Sequence, residues 1–267
     1  MRFLQFFGLK FNPFRKEVPI EQLFASSSSI ELRSRLGFLE TTRGIGLVMG
    51  EPGAGKTTAL RAYLKQLNPA SYHICYFALS TLNVREFLNG LAMELGESPA
   101  FQRIKTIHLI QQAIRSMFHE RKTTPVIVLD EMHLASSAIF DELRLILNFE
   151  MDSHNPYILI MAAQPPIRAK LNLNVHLPLR QRILVKYTLQ GLKEDELGNY
   201  LATRLAFAGS NDQIFQEPSL SAIYSVSGGL PRVVNSLATN CLIYACQQGE
   251  RYVDEECVYQ AANELQV

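Results

Sequence analysis

The chain has 267 residues, 47% hydrophobic and 19% charged, enough for one large domain or one domain with a small appendage; this is not a disordered composition. Lys and Arg number 26 against 25 for Asp and Glu, a net charge of +1, so no global field draws the chain to nucleic acid or an anionic membrane and any such binding must come from a local patch. No run of 18 apolar residues exists and the start is not built like a signal peptide, so a soluble, cytoplasmic protein without a membrane partner is expected.

The opening is Phe-rich (Phe3, Phe6, Phe7, Phe11, Phe14). The serine run Ser26–Ser29 precedes apolar residues at helical spacing over 30–39 and reads as a capped helix start or as a flexible linker. Next, four apolar runs of strand length, Gly46–Met49, Ser71–Leu79, Val126–Leu129 and Tyr157–Ala163, alternate with helical patterns over Lys56–Gln66, Val84–Leu95, Lys105–Phe118 and Ser137–Phe149. Such alternation predicts an α/β fold, a parallel sheet with helices on both sides. From about Gly191 the pattern is helical only, over Glu194–Phe207, Ser219–Ser225, Pro231–Gln248 and Asp254–Leu265. The expected organisation is a lead segment (1–45) packing on the ATPase core, a nucleotide-binding α/β domain (46–190) and an all-helical lid (191–267).

Gly50-Glu51-Pro52-Gly53-Ala54-Gly55-Lys56-Thr57 satisfies the phosphate-loop pattern G-x-x-x-x-G-K-[ST], with a strand before it and a helix after it. The glycines let main-chain N–H groups wrap the phosphates, Lys56 reaches the β- and γ-phosphates, and the Thr57 hydroxyl, with Thr58 beside it, faces the nucleotide and its Mg²⁺. Val126–Leu129 ends in Asp130-Glu131, two carboxylates at the carboxyl edge of the sheet. Asp130 is expected to bind Mg²⁺, and Glu131 to polarise the water that attacks the γ-phosphate. ATP fits better than GTP, because no N-K-x-D guanine-reading motif is present.

These motifs, the opening Phe6-Phe7-Gly8-Leu9-Lys10-Phe11-Asn12-Pro13-Phe14 and the late Gly228-Gly229-Leu230-Pro231-Arg232 resemble the ExeA/TniB/TnsC group of AAA+ ATPases over nearly the whole chain. The resemblance implies that Arg232 is the lid sensor arginine, Gln164 the first sensor, and Arg182 or Arg180 a finger offered to a neighbouring subunit. It also makes Asn12, Pro13 and Phe14 adenine contacts, unless these residues simply pin the N-terminus to the core. Long members of the group assist secretion and carry a transmembrane helix; short, soluble ones regulate DNA transposition. The short type is the expectation here: an ATP-bound ring or filament on double-stranded DNA, largely independent of sequence, that recruits a transposase, works with a target-selection protein, and dissolves on hydrolysis.

For DNA, the helix start Arg103-Ile104-Lys105-Thr106 offers two cations and a hydroxyl, though the same residues make an ordinary solvated cap. Arg85 and Lys122 are weaker candidates. His133 reads as a polar loop residue, and Asp141-Glu142 as solvated helix charges. The other five histidines share no metal-ligand spacing. Cys75, Cys241, Cys246 and Cys257 fit no common zinc pattern and are expected as reduced, buried thiols.

Overall fold

The structure is a computed structural model that describes residues 2–78 and 83–266. Leu79, the last residue of the predicted second strand, lies outside the described residues, as do Met1 and Val267, the outer bounds of the predicted lead segment and lid. In chain order the elements are α1 (Arg2–Phe6), α2 (Ser27–Thr42), β1 (Gly44–Met49), α3 (Lys56–Gln66), β2 (Tyr72–Ala78), α4 (Val84–Glu94), α5 (Arg103–His119), β3 (Thr124–Asp130) and α6 (Ser137–Ile146). They continue with β4 (Ile158–Ala163), α7 (Ile167–Leu171), α8 (Leu177–Arg182), β5 (Ile183–Thr188), α9 (Glu194–Ala208), α10 (Glu217–Ser227), α11 (Pro231–Gln248) and α12 (Glu255–Leu265). Two compact units result: Met1–Ile30 with Pro52–Gly55 and Gln190–Val267, and Glu31–Glu51 with Lys56–Leu189.

The α/β unit is a five-stranded parallel sheet in the order β2-β3-β4-β1-β5. Every residue of β1 and β4 is buried, the outcome their unbroken apolar runs predict for strands covered on both faces. Alternate side chains feed two cores. Ile127, Leu129, Leu159 and Met161 pack with Phe87 and Leu91 of α4, Ile110 and Ile114 of α5 and Leu143 of α6. Val126, Val128, Ile158 and Ile160 pack with Leu32, Leu36 and Leu39 of α2 and Leu60 and Tyr63 of α3. The fifth strand was not among the four predicted. It is an edge strand whose Leu184 and Lys186 face solvent while Ile183 and Val185 are buried, so it has alternation in place of an apolar run.

The second unit is helical. Leu201 of α9, Ile223 of α10, Leu237 and Cys241 of α11 and Val258 of α12 form its core, joined by Phe3, Phe7 and Phe14, so the start of the lead segment packs in the helical unit and not, as expected, on the ATPase core. Arg204 on α9 is buried and donates Nε to Pro13 O (2.7 Å) and Nη2 to Arg15 O (2.6 Å), so the lead segment is held by main-chain carbonyls as well as by aromatic rings. Burial pulls the Arg204 guanidinium below its ordinary pKa. The Gly228-Gly229 pair ends α10 in the left-handed region (φ +56° and +72°). Leu192 N–H donates to Gly229 O at 2.7 Å, and a Cβ on Gly229 would lie 2.0 Å from Leu192 O. Only glycine admits that approach.

Candidate active site

The parallel sheet brings the carboxyl ends of its strands to one edge. Met49 pairs with Ala163 and Thr188, and Ala78 with Asp130, so Gly50, Glu131 and Gln164 each leave the sheet there. Gly53 and Gly55 take φ of +84° and +95°, which the phosphate-loop turn requires and which side-chain-bearing residues rarely adopt. Lys56, at the start of α3, is buried and folds its ammonium back onto the loop, donating to Gly50 O (2.8 Å) and Glu51 O (3.1 Å). Gly50 N–H bonds to Ala163 O at 3.2 Å, which ties the loop's entry to the neighbouring strand.

Asp130 is almost fully buried, and the donors that bond it among the described residues are neutral. Its Oδ2 accepts the Thr57 hydroxyl (3.1 Å) and the Tyr76 hydroxyl (2.9 Å), and its Oδ1 accepts Glu131 N–H (2.8 Å). A buried carboxylate oxygen with a threonine hydroxyl against it is a donor set suited to a hard divalent ion, so the residues present fit Mg²⁺. Tyr76 on β2 was not among the predicted site residues. Burial, then its bond to Asp130, pushes its hydroxyl up to about 12, which keeps it a donor.

Glu131 adopts a left-handed backbone (φ +58°, ψ +32°), a conformation that costs a non-glycine residue on the order of 1–3 kcal/mol and persists only where the surroundings enforce it. The enforcement comes from α7, where the Lys170 ammonium donates to His133 O and to Ala135 O (2.8 Å) and fixes the turn after Glu131. Glu131 Oε2 lies 3.5 Å from Gln164 Nε2 and 3.4 Å from His133 Nδ1. Gln164 N–H donates to that same Nδ1 at 3.3 Å. His133 is thus a spacer between Glu131 and the end of β4, a closer role than the polar loop residue the sequence suggested.

The other predicted residues fall as follows. Arg232, in the first turn of α11, donates its N–H to Gly53 O at 3.3 Å within the helical unit, and a Cβ on Gly53 would lie 2.7 Å from Arg232 Cβ. Arg180 Nη1 donates to Asn172 Oδ1 (2.8 Å) and Arg182 Nη1 to Arg144 O (3.3 Å); both guanidinium-bearing residues keep partial exposure. Asn12 Oδ1 accepts Phe14 N–H (2.9 Å), Pro13 O accepts Arg204, and the Phe14 ring is buried edge-on against Phe215. The pinning alternative describes this geometry, with the Phe14 ring in the core of the helical unit.

The DNA candidates also need correction. Thr106 is buried, its hydroxyl donating to Ala100 O and accepting Ala100 N–H, both at 3.1 Å, so it ties the segment before the helix back onto the first turn. Arg103 is bonded through Nε (3.0 Å) and Nη2 to Glu142 of α6, which is buried and not solvated as its sequence context suggested. Lys105 faces solvent, and Arg103, though paired, is exposed as well; of the three only Thr106 is buried. The four cysteines are free and buried, as expected.

Comparison with known proteins agrees with this geometry. The chain carries an AAA domain, matching that family model over residues 39–171, and has the parallel-sheet fold of P-loop AAA+ structures. More narrowly, it is homologous to the General secretion pathway protein A of Aeromonas hydrophila, 29% identical over 98% of this chain and 48% of that protein. The ATP-dependent target DNA activator B of Escherichia phage Mu is 28% identical over 49% of this chain and 40% of its own length. The chain therefore spans about half the length, or less, of these relatives. Among solved structures, Cdc6p from Pyrobaculum aerophilum superposes with a TM-score of 0.71 at 16% identity, covering 94% of this chain and 70% of that one, a likeness of fold. No helix among the described residues is long and apolar enough to cross a membrane.

Proposed function

We propose that the chain binds and hydrolyses ATP. The observation that carries this is the shared edge of Asp130, with the Thr57 hydroxyl on its Oδ2, and Glu131, turned by a left-handed backbone toward Gln164. The phosphate loop, Gly50, Pro52, Gly53, Ala54 and Gly55 with Lys56, Thr57 and Thr58, receives the triphosphate, and Lys56 exchanges two loop carbonyls for phosphate oxygens. Asp130 and Thr57 would hold Mg²⁺, which supplies positive charge against the phosphate oxygens. Glu131 takes the proton of the attacking water, and Gln164 orients that water. Arg232 senses the γ-phosphate, and Arg182 or Arg180 completes the site of a neighbouring subunit. Glu131→Gln keeps ATP binding and lowers turnover by roughly 10²- to 10⁴-fold; turnover at the wild-type rate in a phosphate-release assay removes Glu131 as the base.

We further propose that the ATPase is a regulator of DNA transposition, an oligomer that assembles on double-stranded DNA with ATP, recruits a transposase and disassembles on hydrolysis. The similarity to a phage target DNA activator supports this reading. Similarity over 98% of the chain to a secretion pathway protein favours a second reading, an assembly ATPase acting on a membrane or protein partner. Electron microscopy of the chain with long random-sequence duplex separates them. Rings or filaments on DNA that need a triphosphate are expected; no DNA association with ATP, with a non-hydrolysable analogue or without nucleotide overturns the DNA role.

A further inference from the structure

The nucleotide site lies at the carboxyl edge of the sheet. A second cluster of ligating side chains lies near the opposite edge. His119 is the last residue of α5, just before β3 begins at Thr124, and Glu150 and His154 flank the turn that leads into β4 at Ile158. β3 is seven residues long, so the two edges are about 20 Å apart and this cluster is separate from the phosphate loop. One nitrogen from each imidazole and one Glu150 carboxylate oxygen all lie within 4.8 Å of one another. Ligands of a single tetrahedral ion at about 2.0–2.2 Å stand roughly 3.4 Å apart, so the closure left is of the size that side-chain torsions supply.

Local packing already orients the donors. The two imidazoles stack with centroids 5.9 Å apart and planes 28° from parallel. Phe118 sets its edge or face against both, at 5.1 Å from His119 and 5.2 Å from His154, and forms an apolar wall to the cluster. Arg43 lies with its guanidinium 4.5 Å over the Phe118 ring, so the neighbouring cation is engaged by the wall. On the other side the chain turns sharply: Glu150 and Met151 have φ of +49° and +54°, and Glu150 O accepts Ser153 N–H (3.2 Å) and the Ser153 hydroxyl (2.7 Å). That turn brings Glu150 and His154, four residues apart, to the same ring of His119.

We propose that His119, Glu150 and His154 form a site for a borderline divalent transition metal of the zinc class. Two imidazole nitrogens and one carboxylate oxygen are the donors such ions take, whereas Mg²⁺ and Ca²⁺ prefer oxygen alone. Three protein ligands at an exposed position leave the fourth to water. The bound ion ties the end of α5 to the turn that enters β4, and so stabilises the sheet's amino edge.

The test is calorimetric titration of zinc chloride into the untagged full chain, with Mg²⁺ in excess to occupy the nucleotide site. Saturable binding is expected, weakened by about tenfold or more in His119→Ala, in His154→Ala and in Glu150→Gln. Zinc is also expected to raise the melting temperature of the wild type and not of Glu150→Gln, an exposed and nearly isosteric change that leaves the fold and ATP affinity intact. Absence of saturable zinc binding in the wild type, or wild-type affinity in all three variants, overturns the site.

Discussion

Arg103→Ala tests whether the cation that a helix start offers to DNA is instead committed to the fold. Glu142 leaves only 7% of its side chain exposed, and its Oε1 takes both donors that Arg103 supplies, while its Oε2 is buried with no hydrogen-bond partner. Removing the guanidinium strips the one oxygen that is satisfied. Loss of a partner from a buried charged group costs on the order of 1–3 kcal/mol, and because the Arg103 side chain is 52% exposed, water entering the gap holds the cost to about 1–2 kcal/mol. For a chain of this size that corresponds to a melting temperature lower by roughly 2–8 °C. The double variant Arg103→Met/Glu142→Leu removes both charges and is expected to melt near the wild type, since replacing a pair with apolar groups is far cheaper than orphaning one member. Circular-dichroism melts of the wild type, Arg103→Met, Glu142→Leu and the double variant close the cycle. If Arg103→Ala melts as the wild type does but loses DNA affinity and salt dependence, the guanidinium serves phosphate and the pair is incidental.

Lys105→Ala, at an exposed cation of that segment that no salt bridge among the described residues engages, is expected to leave the melt unchanged and to reduce the salt slope of DNA binding by about 0.9; an unchanged slope moves the contact elsewhere. Lys56→Ala is expected to abolish ATP binding, read by fluorescent-nucleotide titration, and normal affinity refutes the loop assignment. Gly229→Ala combines φ +72° with a Cβ 2.0 Å from Leu192 O and is expected to destabilise the helical unit enough to lower soluble yield and melting temperature, whereas Gly249→Ala, whose Cβ meets nothing within 4 Å, bears only the conformational cost. Stability is also expected to fall at alkaline pH. Burial pushes the Cys75 and Cys241 thiols up to about 12 and Cys257 to about 11, against 9.0 ordinarily. Above about pH 9 the unfolded chain loses protons the folded chain keeps, so the unfolding free energy declines as pH rises from there toward the folded values. Urea midpoints across this range report it, and a Cys75→Ala/Cys241→Ala variant with an equally steep decline contradicts the attribution.

The elements that could be read from the chain to the residue are those whose ends are written locally. α3 begins where the glycine loop stops, and α11 begins on Pro231 and ends on Gly249 in the left-handed region, so both match their predicted bounds. β5 follows α8 directly and is half exposed, so it carries neither the apolar run nor the flanking turn that marks a buried strand. The chemistry divides along the same line. Lys56, Thr57, Asp130 and Glu131 sit in two short motifs, each next to a strand that declares itself. What holds them in place does not: Tyr76 reaches Asp130 across 54 residues of sequence, Lys170 reaches the turn after Glu131 across 35 to 37, and Glu142 is buried because a cation 39 residues earlier pairs with it. A charged or phenolic side chain reads as solvated until its partner is known, since burial of such a group is affordable only when paired. Glu131 shows why the distinction matters for function. Its proposed role as the base is read from a motif, whereas its left-handed backbone sits in a turn that Lys170 and the His133–Gln164 contact hold. The residues that would aim the proposed base thus come from α7 and the end of β4, the same strand end that carries Gln164, the proposed sensor.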